Sequence, residues 1–121
     1  MELQKIECDF TICKIADIGQ ADFTGEFVFL QKTPDEISLV CESAYVPRNA
    51  AAAEPGWKAL KISGILDFGL VGVIAKIANI LADAKISIFA ISTYNTDYIL
   101  MKADDYGRGI RELIRSGYAV K

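Results

Sequence analysis

The chain has 121 residues, 52% of them hydrophobic, and its 13 basic and 16 acidic side chains leave a formal charge of −3. That apolar content can bury one core or two small, mutually dependent ones, while an acidic chain without a basic face points away from nucleic acid. No apolar run reaches the roughly 18 residues of a membrane span, and the charged start MELQKIECDF lacks the apolar segment of a secretory signal, so the expected compartment is the cytoplasm.

In chain order, Leu3 to Cys8 and Phe10 to Ile15 read as two strands, and Asp17 to Thr24 as a loop or one poor helical turn. Glu26 to Lys32 and Ile37 to Glu42 are strand-like, with Lys32-Thr33-Pro34-Asp35-Glu36 as a hairpin turn between them. Pro47 to Gly56 (PRNAAAAEPG), flanked by prolines and glycine, is the best boundary, although its alanines allow a short helix. The expected division is residues 1–54 and 55–121. Cys8, Cys13 and Cys41 all lie in strand-like stretches without CxxC spacing, and the chain has no histidine. Packed, reduced thiols are expected rather than a metal site. The missing histidines also remove Ser-His and Cys-His nucleophile pairs.

From Trp57 to Ile62 the side chains alternate, as in a half-buried strand. The period then becomes helical: Val73, Ile74, Ile77, Ile80 and Leu81 share one side, and Gly72, Lys76, Asn79 and Asp83 the other. Asp67 stands where an N-cap would sit. ISIFAISTY, Ile86 to Tyr94, is β-branched and aromatic; Asn95-Thr96 turns it, and DYILMK, Asp97 to Lys102, returns as a partner strand. Asp104 or Asp105 is positioned to cap a second helix with Tyr106, Ile110, Leu113, Ile114 and Gly117 on one face. Arg108, Arg111 and Arg115 share another side, which reads as a solvated face. Gly117 ends the helix before a short strand, Tyr118-Ala119-Val120. The order is βαββαβ, an α+β ferredoxin-like fold with both helices on one face of an antiparallel sheet. The first half echoes it imperfectly, which suggests two related sub-domains, the first degenerate.

SGILDFGLVG, Ser63 to Gly72, joins the strand at Ile62 to the first helix. It is not a phosphate loop: Leu70 stands where GxxxxGK[ST] needs lysine, GxGxxG spacing is absent, and Asp67 would repel a polyphosphate. Small residues at such a turn expose backbone N–H groups to a free carboxylate, and Asp67 or Asp97 could meet an ammonium group. The alternative is that Gly64 and Gly69 shape the turn, Gly72 permits close packing and Asp67 only caps. Ile86, Ile88, Phe89 and Ile91 are equally open between core strand and a sheet edge offering its backbone to a ligand or a chain. Ser92, Thr93 and Tyr94 add hydroxyls near the hairpin, and Asp97 faces them.

Asp67-Phe68-Gly69-Leu70-Val71-Gly72-Val73-Ile74-Ala75, then Ala84-Lys85-Ile86-Ser87-Ile88 and Ile91-Ser92-Thr93, resemble the ACT domain. GWKALKISGILDF with ISIFAISTYNTDYILMK is similar to small tandem-ACT proteins, relatives of cytosolic arginine sensors and of aspartate kinase regulatory domains. The resemblance is strong from about Pro55 to Lys121. It implies regulation without catalysis, cofactor or metal. An amino acid would bind between modules of one chain or of a homodimer. The loop contacts would come from Ile65, Asp67, Phe68, Gly69, Leu70 and Gly72, and the strand contacts from Ser87, Ile88 and Phe89. Ser92 and Thr93 lie nearby, and Asp97 would be an acidic contact. Phe68 replaces a proline common in such loops, and Leu70 to Ala75 has no acidic residue. An amino acid or similar metabolite is thus implied, rather than arginine in particular. Two other readings stand beside it: an interaction module that dimerises without a ligand, and a small enzyme using Asp67, Asp97 and Lys61.

Overall fold

Strand and helix periods separate cleanly in a computed structural model of the chain, which describes residues 1–63 and 71–121. The elements are β1 (Glu2–Ile15), β2 (Val28–Lys32), β3 (Ile37–Glu42), β4 (Ala52–Ile62), α1 (Val73–Asp83), β5 (Ile88–Ser92), β6 (Asp97–Lys102), α2 (Ala103–Arg115) and β7 (Ala119–Val120). From β4 onward the order is the expected βαββαβ. Two compact units are present: Met1–Glu7 with Lys58–Lys121, and Cys8–Trp57. A division between residues 54 and 55 would leave β1 whole in the first half. Instead its first residues group with the second half, because Leu3 is fully buried in that half's core.

In the helix-bearing unit the strand order is β7-β1-β4-β6-β5. Alternation puts Leu60 and Ile62 of β4, and Ile99 and Met101 of β6, in one core with Ile77 and Leu81 of α1 and Leu113 of α2. Each such side chain contributes about 1.5–3 kcal/mol by leaving water. Leu3 joins them, and β1 stands between β4 and the last strand, pairing Glu2 with Ala119 and Leu3 with Val120 in parallel. The Ser63 N–H donates to the Glu2 carbonyl at 3.0 Å. α2 passes close over β6 at Gly109, where a Cβ would run into Met101 Sδ and lie 3.4 Å from Leu81 Cδ2. The Tyr106 hydroxyl, donating to the Ala59 carbonyl at 2.8 Å, ties the same helix to β4.

Both helices end in a Schellman motif. After α1, Lys85 N–H donates to the Ala82 carbonyl (2.9 Å) and Ile86 N–H to Leu81 (2.9 Å); after α2, Gly117 N–H donates to Ile114 (3.0 Å) and Tyr118 N–H to Leu113 (3.1 Å). The motif needs a left-handed residue, which is Gly117 at φ 101 in one case and Lys85 at φ 60 in the other. The helix starts differ from expectation. α1 begins at Val73 behind a left-handed Gly72, and Asp67 lies outside the described residues. α2 follows β6 without a loop, so its N-cap is Lys102; Asp104 and Asp105 lie in the first turn, near the positive helix end. The run Ile86 to Tyr94 narrows to Ile88–Ser92 because Ile86 closes the α1 cap and Thr93 opens the hairpin turn.

In the other unit the strand order is β2-β3-β1-β4. β1 is one 14-residue strand rather than two, since Asp9 simply faces solvent and residues 10–15 pair with β3 from Phe10↔Glu42 to Ile15↔Ile37. The hairpin between β2 and β3 forms at Thr33–Glu36, whose Thr33 hydroxyl accepts from the Asp35 and Glu36 amides. Cys13, Ile15, Leu39 and Cys41 form the core, and Phe10 meets Phe27 edge-on at 5.9 Å. The helices of the other unit have as counterparts only 3-10 turns at Ile18–Gln20 and Ser43–Tyr45. The alanine run forms no helix: Ala52 and Ala53 open β4.

The two caps supply a paired test. Lys85→Gly relieves the left-handed strain and should raise the unfolding free energy by about 1 kcal/mol, while Gly117→Ala should lower it by a similar amount, both read by urea denaturation. A pH dependence follows from the buried protons. Burial, with Cys13 beside it, pushes Cys41 up to about 12 from 9.0, and burial with the charge of Glu7 pushes Tyr106 up to about 12 from 10.0. The folded state therefore holds these protons more tightly than the unfolded one. Their contribution is full below pH 9 and is lost as the pH climbs toward 12. Denaturation midpoints should fall over that window, and less steeply in Cys41→Ala.

Candidate functional site

β5 ends the strand order of its unit, so the run weighed between core and edge is an edge strand. It pairs with β6 from Ile88↔Met101 to Ser92↔Asp97. The turn fixes which backbone groups point where. Thr93 N–H donates to the Thr96 carbonyl at 2.8 Å, and bonded pairs alternate along an antiparallel ladder. The bonded pairs are thus Ile91 with Tyr98 and Phe89 with Leu100. The N–H and C=O groups of Ile88, Ala90 and Ser92 are directed to the outer side, where no strand of the described residues meets them. An edge of this kind is a template for another backbone or for a ligand carboxylate.

At the turn, Ser92 lies opposite Asp97 in register and Thr93 beside it, so three of the expected contacts gather at one end of β5. Thr96, at first sight only a turn residue, fixes that end. It is 4% exposed, and its hydroxyl donates to the Ile62 carbonyl at 2.8 Å, while Thr93 Oγ1 donates to the Thr96 carbonyl at 2.9 Å. The hairpin is thereby tied to the last residue of β4, next to Ser63. The signal available in the sequence was a β-branched hydroxyl beside an Asn turn, which is common and unspecific.

The remaining expected contacts are elsewhere. Ser87 is exposed just ahead of β5, and Ile88 and Phe89 are half-buried in its first two positions. Five residue steps separate Ser87 from Ser92, roughly 16 Å at strand rise. Within one copy, Ser87 therefore stands at the opposite end of the strand from Ser92, Thr93 and Asp97. Gly72 is exposed at the head of α1. Ile65, Asp67, Phe68, Gly69 and Leu70 lie outside the described residues. Lys61 is half-buried in β4. Burial raises the thiols of Cys8, Cys13 and Cys41 above their ordinary range, which favours the thiol form at neutral pH.

Removing the Thr96 hydroxyl should loosen this end. Thr96→Val leaves the Ile62 carbonyl without its donor and should cost about 1–3 kcal/mol in chemical denaturation. Amide exchange should quicken first at Thr93 and Asp97.

Comparisons with known proteins fit this architecture. The ACT-domain family model matches residues 52–114, just over half of the chain. No curated protein sequence matches. A solved structure from Agobacterium tumefaciens covers 99% of this chain and 91% of its own, at 27% identity and a TM-score of 0.88. A Vibrio cholerae protein of unknown function, a possible transport protein, superposes with a TM-score of 0.73 at 19% identity, over 94% of this chain and 88% of that one. Clostridium acetobutylicum aspartate kinase, an allosteric enzyme, shares the fold over 93% of this chain but 32% of its own, with a TM-score of 0.62 at 14% identity. With a family model matching more than half its length, the chain belongs to the ACT domain family, whose members are generally regulatory ligand-binding modules.

Proposed function

We propose that the chain is a cytoplasmic regulatory module that binds an amino acid, or a metabolite like one, at a junction between ACT modules, and that a homodimer forms the junction. The supporting observation is the separation of the expected contacts to opposite ends of an edge strand. Two copies of β5 pairing antiparallel across their open sides would bring Ser87, Ile88 and Phe89 of one copy beside Ser92, Thr93 and Asp97 of the other. Asp97 would meet the ligand's ammonium. Residues 8–57, which have strands in a related order but no α-helix among them, would be the degenerate member of a tandem pair.

A second reading rests on the same edge. Free N–H and C=O groups along Ile88, Ala90 and Ser92 suffice for pairing between copies, with no ligand required. The two separate in one experiment. A thermal-shift screen of the twenty common amino acids, run with light scattering, should find a stabilising ligand worth about 2.7 kcal/mol at a hundredfold excess over Kd. Asp97→Ala should abolish that shift and leave the dimer intact. A dimer that no amino acid stabilises at tens of millimolar would establish the interaction module instead, and a monomer under all conditions would sink both.

A further inference from the structure

A second concave surface lies in the helix-bearing unit, between the start of α1 and the turn that leads from α2 into β7. It encloses about 790 Å³, within the range of roughly 300–1,000 Å³ typical of small-molecule sites. Its walls are apolar: Met1, Val71, Val73, Ile80 and Tyr118 line it. Val71 is 91% exposed and Met1 57%, so these apolar side chains meet water. Gly72 and Gly117 form part of the rim, and an added Cβ at either would meet nothing within 4 Å. The backbone is thus open to a guest on both sides.

Charge narrows the guest. The chain has more acidic than basic side chains, yet no acidic residue lines this cleft among those described, and the one charged side chain that does is Lys76. Lys76 is exposed and forms no ion pair with a described residue. Asn79 and Ser116 add neutral hydrogen-bonding groups. An amino acid would bring an ammonium that finds no carboxylate among the described lining residues. A carboxylate on an apolar body meets a cation, two neutral polar groups and an apolar wall.

We infer that this cleft binds a small organic monocarboxylate with an apolar body and no ammonium group, its carboxylate against Lys76 and its body against Val73, Ile80 and Tyr118. Among the described residues the site shares only Gly72 with the contacts expected at the junction, and it does not depend on the junction. An exposed ion pair is weak, so most of the affinity comes from the apolar wall and the charge decides between guests.

Octanoate is a suitable probe, with octylamine and leucine as its charge-reversed and zwitterionic counterparts. Titrated into the ¹⁵N-labelled full chain, octanoate should shift the amides of Val73, Lys76, Asn79, Ser116 and Gly117 and leave those of Ser92 and Asp97 in place. Lys76→Glu should weaken octanoate on the order of tenfold, through loss of the attraction and gain of a repulsion, and should favour octylamine; Lys76→Gln should fall between. Lys76 is on the solvent side of α1, so an unchanged spectrum of the free variants certifies the fold. Octanoate shifts confined to other residues, or absent at about 10 mM, would overturn the assignment. So would equal octanoate affinity in Lys76→Glu, or leucine binding the same amides as tightly.

Discussion

Side chains alternate across a strand, and in β4 and β6 that alternation places Leu60, Ile62, Ile99 and Met101 on the plane that α1 and α2 cover. The rest of the helix-bearing unit follows from that layer. Helices that must lay Ile77, Leu81 and Leu113 onto it have their lengths and ends set by the strands beneath, which is why both close with the same left-handed cap and why α2 comes near enough to β6 to require Gly109. The ends of these elements remain outside the core, free to carry polar groups. The proposed site collects there.

What was legible in the sequence is what one strand or one helix decides alone. Asp97 to Lys102 and Ile37 to Glu42 match their strands at both ends, because in each case hydrophobic alternation and flanking turn residues agree. The alanine run was ambiguous for the opposite reason. Alanine favours a helix locally, but Ala52 and Ala53 belong to a strand that Trp57 to Ile62 already commits, and tertiary pairing outweighs a propensity of tenths of a kcal/mol. The single run of β1 was hidden by Asp9, a poor strand former whose exposed position makes its side chain harmless. Lys85 shows the same limit: no local rule announces a left-handed lysine, and only the pull of Ile86 into the core places it there.

The candidate site was legible in composition but not in arrangement. The hydroxyls and the carboxylate after β5 were visible as a cluster, and register confirms Ser92 opposite Asp97. A strand has two ends, however, and sequence neighbours five residues apart in a strand are not spatial neighbours. That is why Ser87 and Asp97 could be named together and yet stand far apart. Thr96 was overlooked because its partner, the Ile62 carbonyl, is 34 positions away.

The separation has an energetic consequence that a self-contained pocket would not have. In the proposed junction, a ligand that takes contacts from both copies has no complete site on either one, so its binding free energy and that of the dimer are linked. The ligand tightens the dimer by the factor by which the dimer tightens the ligand. A module of this kind needs no catalytic group and no large conformational change to report a concentration; it needs an edge strand weak enough that pairing is not already saturated. β5, at five residues with exposed Ala90 and Ser92, has that modest character. A longer and more apolar edge would pair whether or not a ligand were present, and the response would be lost.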